Sequence, residues 1–259
     1  MNNPVVFDQY ANYYDLLYRD KDYEGEVRFV DGLIRKNAPD TLNLLELGCG
    51  TGIHAEKFTR AGYAVHGIDG SPEMLKYADQ RIQLLPEDRR ESLSFSCGDI
   101  RRFYQLNRRF DAVLSLFHVI CYQTDNQDLS SVFDNVKQYL NPKGLFIFDC
   151  WYGPAVLTDP PAVRVKRLEN TEIEVTRIAE PAIYPNENRV DVNYQVFIKK
   201  KSTGEVDILN ETHKVRYLFM PEIMNLCERF GFSILEAGEW MTGRKPDSNT
   251  WAVYFVVRT

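Results

Sequence analysis

Leu44-Leu45-Glu46-Leu47-Gly48-Cys49-Gly50-Thr51-Gly52 is the stretch that decides the fold. An apolar run ends in an acid, Glu46, and then in glycines at alternate positions, Gly48, Gly50 and Gly52. A backbone built this way turns sharply and lets a ligand approach closely, because glycine has no Cβ. Between a buried strand and a helix, such a loop serves a nucleotide-type cofactor in a doubly wound sheet. The spacing then narrows the choice. A dinucleotide fingerprint places its third glycine at position 53, where this chain has Ile53. A dinucleotide also sets its pyrophosphate on a helix N-terminus, whereas alternating glycines serve close backbone approach more than anion binding.

Two further loops follow at the spacing this fold requires. Tyr63 to Ile68 is an apolar strand ending at Asp69, with Gly70-Ser71-Pro72-Glu73-Met74 after it. An acid about 20 residues beyond the first glycine, at the end of the second strand, is where a ribose diol is gripped. Ser71 reads as an N-cap with Pro72 at the first helical position. Leu93 to Cys97 is a third short strand, closed by Gly98-Asp99-Ile100.

The rest of the chain fits an alternating pattern of strand and helix. Val27, Val30, Leu33 and Ile34 give Glu24 to Asn37 a helical apolar face, after a tyrosine-rich start at Tyr10, Tyr13, Tyr14 and Tyr18. Strand one is Leu42 to Leu47, and a helix follows from His54 to Ala61. A further helix runs from Pro72 to about Leu84. Phe110 to Phe117 is strand four, Asn126 to Leu140 a helix, and Asn141 to Gly144 a turn into strand five, Leu145 to Cys150. Beyond Trp151, segments Val163 to Glu180, Arg189 to Lys200 and Val206 to Leu218 are rich in β-branched and aromatic residues and read as an antiparallel meander. Pro221 to Phe230 is helical, and Phe232 to Ala237 with Trp251 to Val257 forms a closing strand pair. The expected class is α/β: a doubly wound, mainly parallel Rossmann-like sheet with an antiparallel β insertion late in the chain. Residues 1–150 and 219–259 are expected to form the core with an N-terminal helical cap. Residues 151–218 are the insertion that covers the active site.

Composition excludes several classes. A net charge of −6 lacks the basic stripe of a nucleic-acid binder. The 5 cysteines are scattered and odd in number, without a Cys-x-x-Cys, and the 4 histidines show no metal-ligand spacing. Neither a disulfide framework nor a metal site is expected. The N-terminus carries no basic-then-apolar signal. No stretch approaches the roughly 20 apolar residues of a membrane span. A cytoplasmic enzyme with a small-molecule substrate and no nucleic-acid or membrane partner is the expectation. A homodimer is allowed and nothing in the chain demands it.

The alternate-glycine loop with its acid two residues ahead resembles the first motif of class I S-adenosylmethionine (SAM)-dependent methyltransferases. The loops at Asp69 and Asp99 extend the resemblance through Leu42 to Cys150. Tyr14-Asp15-Leu16 with Tyr18, then Lys21-Asp22-Tyr23, Ser115-Leu116-Phe117 and Asp149-Cys150-Trp151-Tyr152 are similar to segments of the amino-sugar N,N-dimethyltransferases. Those enzymes methylate nucleotide-linked amino deoxysugars. The resemblance implies SAM as cofactor and S-adenosylhomocysteine as its product. It implies that Tyr14 and Tyr23 contact the sulfonium and methionine tail, with Glu46, Gly48 and Gly50 flanking that tail. Asp69 would hold the ribose, with Gly70, Ser71 and Met74 towards the adenine. Asp99 and Ile100 would clasp the adenine, and Leu116 would lie beneath the methionine. His118, Tyr122, Trp151 and Tyr152 would face the acceptor. The chain departs from the family in having Tyr122 where some members place a histidine, and His118 where they place a small polar residue. The acceptor is therefore open between an amine, which needs no strong base, and a hydroxyl, which needs one.

His118, just after strand four, is the candidate base for a hydroxyl, and Tyr14 the candidate group beside the sulfonium. Two other classes stand beside these. A nicotinamide oxidoreductase or epimerase is opposed by Ile53 and by the lack of a Tyr-x-x-x-Lys pair. A non-catalytic SAM-binding regulator is opposed by the intact aromatic acceptor side.

Overall fold

The computed structural model describes residues 11–102 and 106–259; Tyr10 lies outside them. The chain begins with α1 (Ala11–Leu17) and α2 (Tyr23–Asn37). Asp22 caps α2 by accepting from the Gly25 backbone N–H at 2.8 Å. The alternating part follows as β1 (Asn43–Leu47), α3 (Ile53–Arg60), β2 (Ala64–Asp69), α4 (Pro72–Ile82), β3 (Leu93–Cys97), β4 (Phe110–Ser115), α5 (Asn126–Tyr139) and β5 (Leu140–Trp151). A short helix α6 (Gly153–Thr158) leads to β6 (Arg164–Glu169), β7 (Ile173–Tyr184), β8 (Arg189–Lys200) and β9 (Val206–Arg216). The chain closes with α7 (Met220–Phe230), β10 (Ser233–Glu239) and β11 (Ala252–Arg258).

β1 to β5 run parallel, and with β11 and β10 they form a seven-stranded sheet in the order β10-β11-β5-β4-β1-β2-β3. β11 is antiparallel to both its neighbours. The strand order reverses between β1 and β4, so the carboxyl ends of these two strands open a crevice where ligands bind in this class of sheet. The side-chain period of two divides β1 between two cores. Leu45 and Leu47 join Val132, Phe133 and Phe148 under α5 and α7. Leu44 joins Val30, Ile34 and Phe58 under α2 and α3. Glu46 shares the Leu44 face, which turns this carboxylate towards α2 and α3 at the crevice.

β6 to β9 form a separate four-stranded antiparallel sheet. Its inner face meets the N-terminus: Val175 and Val196 pack with Tyr13 and Leu17 of α1 and with Met74 of α4. The Lys166 ammonium adds a hydrogen bond to the Leu17 carbonyl. Three details differ from expectation. The segment expected as one strand from Val163 to Glu180 is two strands, because the Asn170 carboxamide oxygen accepts from the backbone N–H groups of Glu172 and Ile173, each at 2.8 Å. That side-chain turn needs neither glycine nor proline. The turn expected at Asn141 to Gly144 is an excursion inside β5: Leu140 pairs with Phe110, and pairing resumes at Leu145 opposite Ala112. Finally, α6 has too few residues to carry a helical period.

Candidate active site

The glycine loop sits at the crevice end of β1. Gly48 and Gly50 have φ of 67° and 54°, in the left-handed region. A Cβ on Gly48 would lie 2.5 Å from Val119 Cγ1, whereas a Cβ on Gly50 would meet nothing within 4 Å. Gly48 is therefore a close-packing position, and Gly50 borders open space where a ligand can approach. The Asp69 carboxylate ties the loop to β2. One oxygen accepts from Gly50 N–H and the other from Ser71 N–H, each at 2.8 Å. Burial raises the Asp69 pKa, and these two N–H groups oppose the rise. Ser71 caps α4 by accepting from Met74 N–H at 3.2 Å. The Met74 side chain packs into the α1 cluster.

Below the loop lies a buried polar line. Glu46 is 2% exposed, its Oε2 has no hydrogen-bond partner, and burial pushes its pKa up to about 8. His54 Nδ1 is 3.6 Å from Glu46 Oε1, and His54 Nε2 is 2.7 Å from Glu26 Oε2. Glu26 also pairs with the Lys21 ammonium. Burial works against the Glu26 charge, but His54 and Lys21 bring its pKa down to about 2. Burial lowers the pKa of His54 and of Lys21. The consistent state is Lys21 and Glu26 charged, His54 neutral and donating to Glu26, and Glu46 carrying its proton at neutral pH. Lys21 also lies 4.2 Å from the Tyr23 ring centroid and 4.5 Å from that of Phe117. Tyr23 is buried, its ring 4.9 Å from His54.

At the end of β3, Asp99 is held by Arg101, whose Nε lies 2.9 Å and Nη2 2.6 Å from its carboxylate oxygens. This pairing holds the Asp99 pKa below the usual range. The Arg101 backbone N–H also donates to Asp99 at 2.9 Å and Nε reaches both oxygens, so Arg101 engages all of the roughly four acceptor sites of this carboxylate. Ile100 and Leu116 are buried, one in each core.

A second cluster of aromatic and polar side chains gathers where β4 and β5 end. Phe117 and His118 follow β4 with φ of 63° and 64°, a conformation costing bulky residues about 1–3 kcal/mol each. Asp149, 1% exposed on β5, offsets that cost: both its oxygens lie 3.2 Å from His118 N–H. His118 Nδ1 is 2.6 Å from Asp149 Oδ2 yet makes no well-directed hydrogen bond. The His118 ring is 6.3 Å from Trp151, which meets Trp251 edge-on at 5.7 Å. Tyr14 is half-buried against Tyr18, with ring centroids 4.8 Å apart, and Tyr18 meets Phe117 at 5.1 Å. Burial holds the Tyr14 phenol well above its ordinary pKa, and Tyr23, Tyr18, Tyr122 and Asp69 are close enough to add to the effect. Tyr14 thus lies near both Asp69 of β2 and Tyr122. Tyr122 reaches across to the second sheet, where its hydroxyl is 2.9 Å from His213 Nδ1. Tyr152 packs on the core under α5 and α7, and its backbone bridges Leu218.

Several residues at this site carried no legible signal. Lys21, Glu26 and His54 come from two helices and a loop, and only the fold brings them under Glu46. Asp15 accepts from the Thr51 hydroxyl at 2.6 Å and pairs with Arg81, latching α1 to the glycine loop. Glu211 and His213 stand two apart on one face of β9, a pattern that alone says only that this face is polar.

Comparison with known proteins agrees with this geometry. The methyltransferase domain family matches residues 44–144. The chain is 30% identical over 215 residues to the dTDP-3-amino-3,4,6-trideoxy-alpha-D-glucopyranose N,N-dimethyltransferase of Streptomyces venezuelae, spanning 80% of this chain and 86% of that one. It is 30% identical over 195 residues to the dTDP-4-amino-2,3,4,6-tetradeoxy-D-glucose N,N-dimethyltransferase of Saccharopolyspora spinosa, 74% of each chain. Its fold matches a S-adenosylmethionine-dependent methyltransferase from Clostridium acetobutylicum ATCC 824 with a TM-score of 0.80 at 23% identity, over 97% and 98% of the two chains. Among the described residues no helix is long and apolar enough to cross a membrane. The open side of Gly50, the acid at the end of β2 and the unpartnered Glu46 oxygen suit a cationic, nucleoside-bearing cofactor. With this loop, strand order and degree of similarity, the chain belongs to the class I SAM-dependent methyltransferases.

Proposed function

We propose that this methyltransferase acts on the amine of a nucleotide-linked amino sugar. The observation that carries the reading is similarity over about three quarters of the chain or more to two enzymes whose named substrates share a dTDP-linked deoxysugar amine. SAM supplies an electrophilic methyl group on a sulfonium. The residues that hold it in this reading are Tyr14, Tyr23, Glu46, Gly48 and Gly50 around the methionine, with Leu116 beneath it. Asp69 holds the ribose, and Gly70, Ser71, Met74, Asp99 and Ile100 surround the adenine. Residues 151–218 act as the cover, with Trp151, Tyr152, Tyr122 and His118 on the acceptor side.

The chain's own work is positioning: the acceptor must sit in line with the methyl and opposite the sulfur. An amine must arrive neutral, and burial beside tyrosines and tryptophans would disfavour its ammonium form. A second reading, O-methylation with His118 as base, is favoured by the 2.6 Å approach of Asp149 to His118, since a carboxylate there stabilises an imidazolium.

Incubation of the enzyme and SAM with dTDP-3-amino and dTDP-4-amino deoxysugars, followed by mass spectrometry, tests the reading. N-methylated product from either sugar is expected; methylation of neither sugar would sink it. His118→Ala separates the two chemistries. Amine methylation should fall less than about tenfold, whereas hydroxyl methylation should fall about 10²-fold or more.

A further inference from the structure

Tyr122, His213 and Glu211 form a hydrogen-bonded line from the acceptor side of the core to the second sheet. Tyr122 Oη is 2.9 Å from His213 Nδ1, and His213 Nε2 is 3.1 Å from Glu211 Oε2. His213 is 3% exposed, while the Glu211 side chain is 15% exposed and reaches the sheet surface. We assign Glu211 as the acceptor in this line, which puts the ring hydrogen on His213 Nε2 and leaves Nδ1 to accept. The Tyr122 hydroxyl must then donate to Nδ1, and its oxygen accepts from whatever else it meets. The ring is clamped in place: Tyr194 of β8 stands edge-on to it at 4.7 Å, and Arg177 of β7 lies over Tyr194 at 4.8 Å while donating to the Tyr18 hydroxyl at 3.2 Å. Among the described contacts, His213 faces Tyr122, Tyr194 and Glu211, with Tyr18 and Arg177 behind them and Tyr13 near enough to sense Glu211.

The geometry points to a proton exit for the methylated amine, in which Tyr122 touches the acceptor nitrogen and His213 and Glu211 are positioning residues behind it. This rests on the amine reading above. In the transfer step the nitrogen lone pair forms the N–C bond, the C–S bond breaks, and its electron pair stays on sulfur. The nitrogen becomes an ammonium and cannot accept a second methyl until it loses a proton. That proton passes to the Tyr122 oxygen as the Tyr122 hydroxyl proton passes to His213 Nδ1. Glu211 stabilises the resulting imidazolium through Nε2–H, and the Nδ1 proton returns through Tyr122 to water when the product leaves the site. The relay therefore serves the second methylation more than the first.

The test measures the ratio of monomethyl to dimethyl product, and its pH profile, in wild type, Tyr122→Phe, His213→Gln, Glu211→Gln and Glu211→Asp. S-adenosylhomocysteine affinity reports whether each variant keeps its fold. In Tyr122→Phe and His213→Gln the second transfer should slow at least about tenfold, with a smaller change in the first. Product should stall at the monomethyl stage at neutral pH and recover as pH rises, when solvent removes the proton instead. Glu211→Asp should restore what Glu211→Gln loses. A wild-type product ratio in all variants that bind S-adenosylhomocysteine would overturn the relay. If wild type methylates no amino sugar, the amine reading itself falls. In that case ¹⁵N NMR of His213 still decides the polarity: a neutral ring protonated at Nε2 supports the line, and one protonated at Nδ1 overturns it.

Discussion

Glu46 shows how one side chain can be shaped by a ligand site more than by stability. The unfolded chain ionises this carboxyl near 4.5, whereas the folded protein holds its proton up to about 8. Below the lower value both states are protonated and nothing is lost. Between the two values only the unfolded chain gives up its proton, so stability drains away as pH rises, and the loss levels off above the folded value. Glu46→Gln keeps the shape and removes the titration. The ligand-free variant should melt with wild type near about pH 5 and increasingly above it towards about pH 8. Parallel melting curves across that range would show that the carboxyl is not held neutral. The glycines, Asp69 and Asp99 were legible because each ends a strand at a fixed place in the chain. His54, Glu26 and Lys21 were not, because a buried charge network is set by which helix faces meet, and helix periodicity reports only the apolar part of a face.

At the scale of elements, α1 stands out because so little of its hold on the core is its own. A seven-residue helix is marginal alone, so Tyr14 is placed by the Asp15 contacts to Thr51 and Arg81 and by packing on β7 and β8. Asp15→Ala removes the latch and leaves the sheet untouched. SAM affinity should weaken about tenfold, as expected for a hydrogen bond involving a charged group, with little change in melting temperature. Equal loss of affinity and of global stability would mean that α1 is part of the folding core. Tyr14-Asp15-Leu16 was legible only as a family resemblance, which does not reveal that Asp15 serves the glycine loop. Within the second sheet, strands showed through their β-branched residues, but the Asn170 turn did not, since asparagine turns by a side-chain hydrogen bond that composition does not reveal.

For the whole molecule, the joint between the two sheets is what the sequence left darkest. The fold class followed from order: strand, glycine loop, helix, strand, acid. Contacts across the joint pair residues far apart in the chain, as Tyr122 and His213 do, 91 positions apart, and no local pattern encodes such a pair. Arg216 is one polar fastening there. It is 8% exposed and its Nη2 donates to Asn126 Oδ1 at 2.8 Å and Glu222 Oε1 at 2.7 Å, tying β9 to the starts of α5 and α7. Arg216→Ala should cost about 2 kcal/mol in urea unfolding, because Glu222 loses a charged partner while retaining some solvent. A change under about 0.5 kcal/mol would mark the contact as incidental. The packing of α1 against Val175 and Val196 has a further consequence, in time more than in space. The helix is made well before β7 and β8, the strands that hold it. Such long-range closure is slow and waits until β8 has been made. A nascent chain can therefore complete the glycine loop long before it can enclose anything there. The cellular supply of SAM can protect the finished enzyme by mass action, but it cannot guide the enzyme's birth.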